Sequence, residues 1–393
     1  MQVKKLVVAL FLAYFFVSGI TGNVALGQNS ITVGAVQTTR GPLGAFGPEI
    51  SAGLNDALMI ANNEGGINGK RLTYVMADGS YNAQEDMILF ERIFLEHHPP
   101  VMFGNSTELS KLLAPQIANR FKVLYTGATY SSELVFGAAN PSMFIPGPTY
   151  GDQMGILLKY IAKEKPRARV AFFYSDSDFG RDSIKFGKLM CQRLRLDLVS
   201  EQTADIKGAD VTSQVEALNK ANPDYVILHG FLVAPVPDVI KKSREIGMKC
   251  IFMGTFWGAT EMLLEKLGPL AENYLAVNPY SYWWMEDQPT IKKIRTYTAN
   301  NYPNVKSRPL FYMQGFFSGL VFVETLRRAD KSGKLNYDGL VEGLQSINDL
   351  DTGGLTAPLT IKNNRFPIAR VWKANVQKQI FEPESDWIRF YLD

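Results

Sequence analysis

Short runs of apolar, β-branched and aromatic residues recur along the chain, and between them apolar positions return every three or four residues. The runs are Ile31 to Val36, Leu72 to Ala77, Val101 to Gly104, Val123 to Thr126, Val170 to Tyr174, Leu198 to Gln202, Tyr225 to Leu228, Cys250 to Gly254 and Tyr274 to Val277. Runs this short and continuous predict buried strands, and the periodic segments predict crossover helices, so the pattern is that of βαβ units around a parallel sheet. Ile50, Leu54, Ala57, Leu58 and Ala61 define one such helix. Gly65-Gly66 predicts its end, where left-handed backbone is needed, and Asn68-Gly69 predicts the turn into the next strand. Later segments predict helices from Tyr312 to Ala329 and from Tyr337 to Ile347, followed by strands at Leu359 to Ile361 and Ala369 to Trp372.

The first four runs and the next four follow one plan: a strand, a polar loop holding an aromatic-glycine pair, then a helix. The pair is Phe46-Gly47 in the first half and Phe179-Gly180 in the second. A repeated plan predicts two similar lobes with contacts on the loops at the carboxyl ends of their strands, and a cleft between them as the candidate site. Breaks at Pro141 to Tyr150, at Val277-Asn-Pro279 and at Asp351-Thr-Gly-Gly354 predict three crossings, which together form a hinge. The expected organisation is residues 28–147 with 278–353 as lobe I, and 148–277 with 354–393 as lobe II.

The N-terminus has the three parts of an export signal: Lys4 and Lys5, the apolar stretch Leu6 to Ile20, and the small-residue site Ala25-Leu26-Gly27. The stretch is about 15 residues long, short of the roughly 20 of a spanning helix, so cleavage of residues 1–27 and an exported product are expected. At 46% hydrophobic and 20% charged, the 393-residue chain has the composition of a soluble globular protein too long for a single core. Its 41 Lys and Arg stand against 38 Asp and Glu, a net charge of +3, with no basic block; nucleic acid is not an expected partner. Two cysteines, Cys191 and Cys250, exclude a disulfide scaffold and a CxxC zinc site, and leave one disulfide open.

Motifs for catalysis are missing where they would be needed. Glu64 to Lys70 lacks the first glycine of a phosphate loop and follows a helix, and Gly315 to Gly319 has the wrong spacing for a nucleophile elbow. His97, His98 and His229 form no metal-binding pair, and Asp176 with Asp178 lack the glutamate of a calcium loop. No cofactor, metal or enzymatic activity is expected. What remains is a pair of polar loops, Gly104 to Thr107 and Thr126 to Thr129, whose hydroxyls and N–H groups suit an anion such as a carboxylate or else cap helices. Aromatic residues gather on the neighbouring loops at Phe46, Tyr150, Phe179, Phe231, Phe256, Trp257 and Tyr280 to Trp284, and Phe179 and Trp257, beside glycine after their strands, point to the cleft.

Six fragments carry a resemblance by their order and spacing: Ile31 to Val36, Phe46-Gly47, Asn63 to Lys70, Ser175 to Arg181, Asp210 to Gln214 and Asn222 to Val226. Through them the chain resembles the periplasmic leucine/isoleucine/valine-binding protein family, the type I solute-binding proteins of ABC transporters. The resemblance covers essentially all of the chain after residue 27. It implies an α/β fold of two doubly wound parallel-sheet lobes joined by a three-segment hinge, acting as a monomer that hands a small-molecule ligand to a membrane permease. It places the ligand carboxylate on Ser106 and the loop at Ala128 and Thr129, with Phe46 as an apolar contact; Thr107, next to Ser106 on the first polar loop, joins the expected site. From the other lobe it brings Tyr150, Phe179 and the loop holding Thr255 and Trp257, and Phe231 of the aromatic cluster completes the expected site.

Amino-acid binders of that family offer an acidic residue on the last of these loops, where this chain has Thr255, Phe256 and Trp257. A buried ammonium without a carboxylate costs several kcal/mol, so the expected ligand is an apolar or aromatic acid, with Glu49 and Asp178 as alternative partners for an ammonium. Branched-chain amino acid binding proper and a ligand-sensing receptor domain of the same fold are the alternatives.

Overall fold

The continuous apolar runs become two sheets. A computed structural model describes residues 30–40, 44–136, 140–205, 210–231 and 234–390; the export signal expected at 1–27 lies outside the described residues. In lobe I, β1 (Ser30–Gln37), β2 (Arg71–Asp78), β3 (Val101–Gly104) and β4 (Leu124–Gly127) lie in the order β2-β1-β3-β4, all parallel. In lobe II, β5 (Arg169–Ser175), β6 (Asp197–Ala204), β7 (Tyr225–His229) and β8 (Ile251–Gly254) repeat that order as β6-β5-β7-β8. The second sheet then continues through β9 (Leu275–Asn278), parallel to β8, and through β10 (Ile368–Asn375), antiparallel to β9. Short antiparallel strands β11 (Ile380–Pro383) and β12 (Ile388–Arg389) complete its edge.

Helices cover both sheets. The helix Gly47–Asn63 lies against the long helix Leu310–Lys331, and the approach is so close that a Cβ on Gly53 would sit 2.1 Å from Tyr312 O and one on Gly315 2.0 Å from Ile50 O. Glycine at both positions is what lets the late helix return to the first lobe. At the other end of Gly47–Asn63 the chain reverses as expected, with Gly65, Gly66, Asn68 and Gly69 all at positive φ. One apolar cluster runs from the lobe I core through the facing loops into lobe II, and a second fills the far face of the larger sheet.

Three crossing segments lie side by side. Ile145 N–H donates to Asn364 O at 2.7 Å and Phe366 N–H to Gly147 O at 3.3 Å, while the Tyr280 hydroxyl donates to Pro146 O. Beside them Arg365 Nε meets Asp152 Oδ2 at 2.8 Å, a fully buried ion pair at the start of the helix Tyr150–Glu164.

Two details differ from the sequence reading. Leu359 to Ile361 forms no strand: Leu359 makes an isolated bridge to Leu350 and Ile361 N–H bonds Ile347 O, so this stretch folds back on lobe I. The helix Pro289–Asn301 carries only Ile291, Ile294 and Thr298 as buried positions, too sparse a stripe to have stood out. Cys191 and Cys250 are buried and free, and burial pushes their thiols up to about 12 and about 11. Among the described residues no helix is long and apolar enough to cross a membrane.

Candidate functional site

Loops that leave the carboxyl ends of seven strands, four in lobe I and three in lobe II, contribute to one cavity. Lobe I supplies Gln37 and Thr38 after β1, Phe46 at the start of Gly47–Asn63, Tyr81 after β2, Asn105 and Thr107 after β3, and Ala128 after β4. Lobe II supplies Tyr150, Phe179 after β5, Phe231 after β7 and Trp257 after β8. The rings leave a cavity of about 20 Å³, room for roughly one water. The lobes are therefore closed on each other, ring against ring. Phe46 of lobe I stacks on Phe231 at 6.4 Å and meets Trp257 at 6.0 Å, and Phe179 joins Phe231 at 4.7 Å and Tyr150 at 5.2 Å.

The repeated aromatic-glycine pair has a steric cause. A Cβ on Gly47 would lie 1.9 Å from Thr38 O, and one on Gly180 1.8 Å from Ser175 O. In each half the glycine lets the helix start press onto the carbonyl at the strand end, and that contact aims the preceding phenylalanine into the cleft.

A hydrogen-bonded row backs the rings. Trp257 Nε1 donates to the Tyr150 hydroxyl at 2.9 Å, Tyr150 bonds the Thr107 hydroxyl, and Thr107 Oγ1 lies 2.7 Å from Thr129 Oγ1. Thr129 thus stands behind Thr107 and accepts Ser131 N–H at 3.2 Å. Ser106 caps its own helix by accepting Leu109 N–H at 3.0 Å. The amides of Ala128 and Thr129 already donate to Gly104 O and Gly127 O, both at 2.8 Å, so the N–H groups expected to grip a carboxylate are engaged within the chain.

Thr255 also lies behind the wall, 2.9 Å from His229 Nδ1, whose Nε2 is 3.0 Å from Phe179 O. Full burial pushes His229 down to about 4, leaving a neutral ring. Nε2–H must then donate to the Phe179 carbonyl, and Nδ1 accepts from Thr255. His229 belongs to the site as a fastener of Phe179. Nothing in the sequence marks it beyond a place at the end of β7.

No charged side chain is part of the cavity wall. Glu49 pairs with Arg308 at 3.5 Å, and Asp178 pairs with Arg181 at 3.5 Å on the surface. Glu108 accepts the Phe179 N–H across the lobes, and burial raises its carboxyl above the usual range. Asp182 makes the reciprocal bridge, accepting from the Ser131 hydroxyl and, at 3.0 Å, from Ser132 N–H, and burial raises it also. Gln37, Thr38, Tyr81 and Asn105 were not singled out by the sequence, although Asn105 lies inside a loop that was. Tyr280 and Tyr282 are fully buried away from the cleft, Tyr282 packing on Trp372 at 4.8 Å. Among the described residues no three metal-type side chains come together.

A family model described as periplasmic binding protein matches residues 30–379. The Leu/Ile/Val-binding protein of Citrobacter freundii is 23% identical over 261 residues, 66% of this chain and 70% of that protein. Among solved structures, a branched chain amino acid ABC transporter from Thermus thermophilus with bound valine superposes with a TM-score of 0.84 at 22% identity, covering 93% of this chain and 97% of that one. A fatty acid ABC transporter substrate-binding protein from Thermomonospora curvata superposes at 0.79 and 18% identity, covering 92% and 93%. At these identities the structural likeness is one of fold.

Proposed function

The chain belongs to the periplasmic binding protein family, and from that premise we propose that it is the exported solute-binding component of an ABC importer, carrying a small solute with an apolar or aromatic body. The observation that supports this most is the convergence of strand-end loops from both lobes on one cavity walled by Phe46, Tyr150, Phe179, Phe231 and Trp257 without a charged side chain. A solute bridging the lobes stabilises the closed form, and closure is a signal a membrane permease can read. No bond of the solute is altered; the wall offers hydroxyls, amides and rings, and no nucleophile paired with a base. In this reading the third crossing is moved from the break expected at 351–354 to residues 363–367, a choice supported by the bonds of Asn364 and Phe366 to the first crossing, so that the lobes are 28–147 with 278–362 and 148–277 with 363–393. Residues 1–27 are read as the export signal, so the exported protein begins at Gln28.

A branched-chain amino acid is the second reading, favoured by the ligands named for the relatives. It requires an acid against the ammonium, and Glu108, outside the wall, already accepts Phe179 N–H.

Thermal unfolding of the ligand-free protein with branched-chain amino acids, short aliphatic and aromatic acids and their amides tests the proposal. A ligand at 100 times its dissociation constant adds about 2.7 kcal/mol, a clear rise in melting temperature. A flat response to the whole panel rejects solute capture of this class.

A further inference from the structure

We propose, resting on the solute-capture reading, that Tyr81 sets the largest solute body the cleft accepts, and that Asp86 is the positioning residue that holds its ring in the wall. Tyr81 follows β2 and lines the cavity from lobe I. Its ring meets Phe231 of lobe II edge-on at 6.3 Å, while Phe46 stacks on the same Phe231 at 6.4 Å. Phe231 is thus clasped between two rings of the opposite lobe. With a cavity of about 20 Å³ left among the rings, a solute takes its room at their expense.

Among the wall residues Tyr81 alone has a positive φ, 62°, in the left-handed region that a bulky side chain adopts only at a cost. Such strain persists where the surroundings over-determine it, and here one fully buried carboxylate does so. Asp86, in the first turn of the helix Ala83–His97, accepts Ser80 N–H on Oδ1 at 2.9 Å and also accepts Tyr81 N–H. Its Oδ2 accepts from Asn105 Nδ2 at 2.7 Å, which ties the loop after β2 to the loop after β3. A Cβ on Gly79 would lie 2.3 Å from Asp86 Oδ1, so glycine is what lets the carboxylate reach the turn. The other rings are moored to each other: Phe46 to Phe311 at 4.8 Å, Phe179 to Tyr150 at 5.2 Å, and Trp257 to Tyr150 by its hydrogen bond. Truncating Tyr81 therefore frees the space of a ring and leaves these contacts in place.

Calorimetry of the exported protein with three heads on two bodies tests this: leucine, 4-methylpentanoate and 4-methylpentanamide against naphthylalanine, naphthylpropanoate and naphthylpropanamide. For the head that binds, the native chain is expected to take the branched body at least about tenfold more tightly than the naphthyl one. Tyr81→Ala should cut that preference about tenfold, and Tyr81→Phe should keep it. Asp86→Asn offers one acceptor atom to three N–H groups and should narrow the preference in the same direction, whereas a loss of stability alone would weaken both bodies alike and leave their ratio unmoved. Gly79→Ala, which crowds the carboxylate, tests the same hold should the asparagine variant fail to fold. An unchanged ratio in Tyr81→Ala, or a native preference for the naphthyl body, overturns the size assignment and leaves solute capture standing. An unchanged ratio in the Asp86 and Gly79 variants removes Asp86 from its role. Silence of the native chain and Tyr81→Ala alike toward all six compounds overturns solute capture and the size assignment together.

Discussion

At the residue scale the site depends on groups that hold the rings as much as on the rings. Trp257 both packs on Phe46 and donates to Tyr150. Trp257→Phe keeps most of the packing and removes the donor, so it should cost about 1 kcal/mol and weaken solute binding about fivefold; calorimetry beside a melting curve separates the two effects. His229 carries a different signature. Its folded value of about 4 lies below its ordinary 6.5 because burial disfavours the cation. Between those values the unfolded chain binds a proton that the folded chain refuses, so stability is level above pH 6.5 and falls as pH drops toward 4, by on the order of 3 kcal/mol. His229→Gln, which can keep one bond to Thr255 or Phe179, should flatten the denaturation profile over that window; an unchanged slope would assign it to other groups. Apart from Tyr81, the aromatic wall was legible because a ring placed beside glycine after a buried strand has few other places to go. The polar wall was not. Whether Ser106 faces the cleft or caps its own helix, and whether Ala128 N–H is free or bonded to Gly104 O, is set by rotamer and by the register between β3 and β4, which composition does not carry.

At the element scale the same βαβ plan is used twice, and its two halves are interchangeable in strand order and in the device that ends the first strand. That device is steric, so its failure should be too. Gly180→Ala puts a methyl carbon 1.8 Å from Ser175 O, and the backbone must shift to accept it. We expect a loss of about 2–4 kcal/mol, and weakened solute binding because Phe179 moves with the backbone. Gly187→Ala, on the neighbouring helix Ile184–Leu194, faces side chains of Phe172 and Met154 at 3.0–3.1 Å and should be milder; chemical denaturation of the two variants checks the order. The central strand runs were readable because strands buried on both faces need no alternation. The edge strands β11 and β12 and the helix Pro289–Asn301 escaped for the opposite reason: each buries too few residues to impose a period.

At the scale of the whole molecule, closure joins the lobes through carboxyl groups that accept main-chain N–H groups from the opposite side. Glu108 takes Phe179 N–H, Asp182 takes Ser132 N–H, and Glu261 of lobe II takes Leu310 N–H at 3.3 Å from the helix packed on lobe I. Burial raises all three, and Glu261 reaches about 7. Parting the lobes would wet these groups and return them toward the ordinary carboxylate range, so the closed form holds more protons than the open one between that range and pH 7. By linkage, the added stability of the closed form is fully present below the open-state value and is lost as pH rises through about 7. Solute affinity, which includes the free energy of closing, should therefore weaken from pH 5 to pH 8 and level off above it. Glu261→Gln stays neutral throughout and keeps an acceptor for Leu310 N–H, so its affinity should lose the part of that slope nearest pH 7 and exceed that of the native chain at pH 8. Dissociation constants for one bound solute at pH 5, 6, 7 and 8 decide the matter: parallel profiles for the two chains would mean that Glu261 ionises alike in the open and closed forms, and that closure moves no proton there.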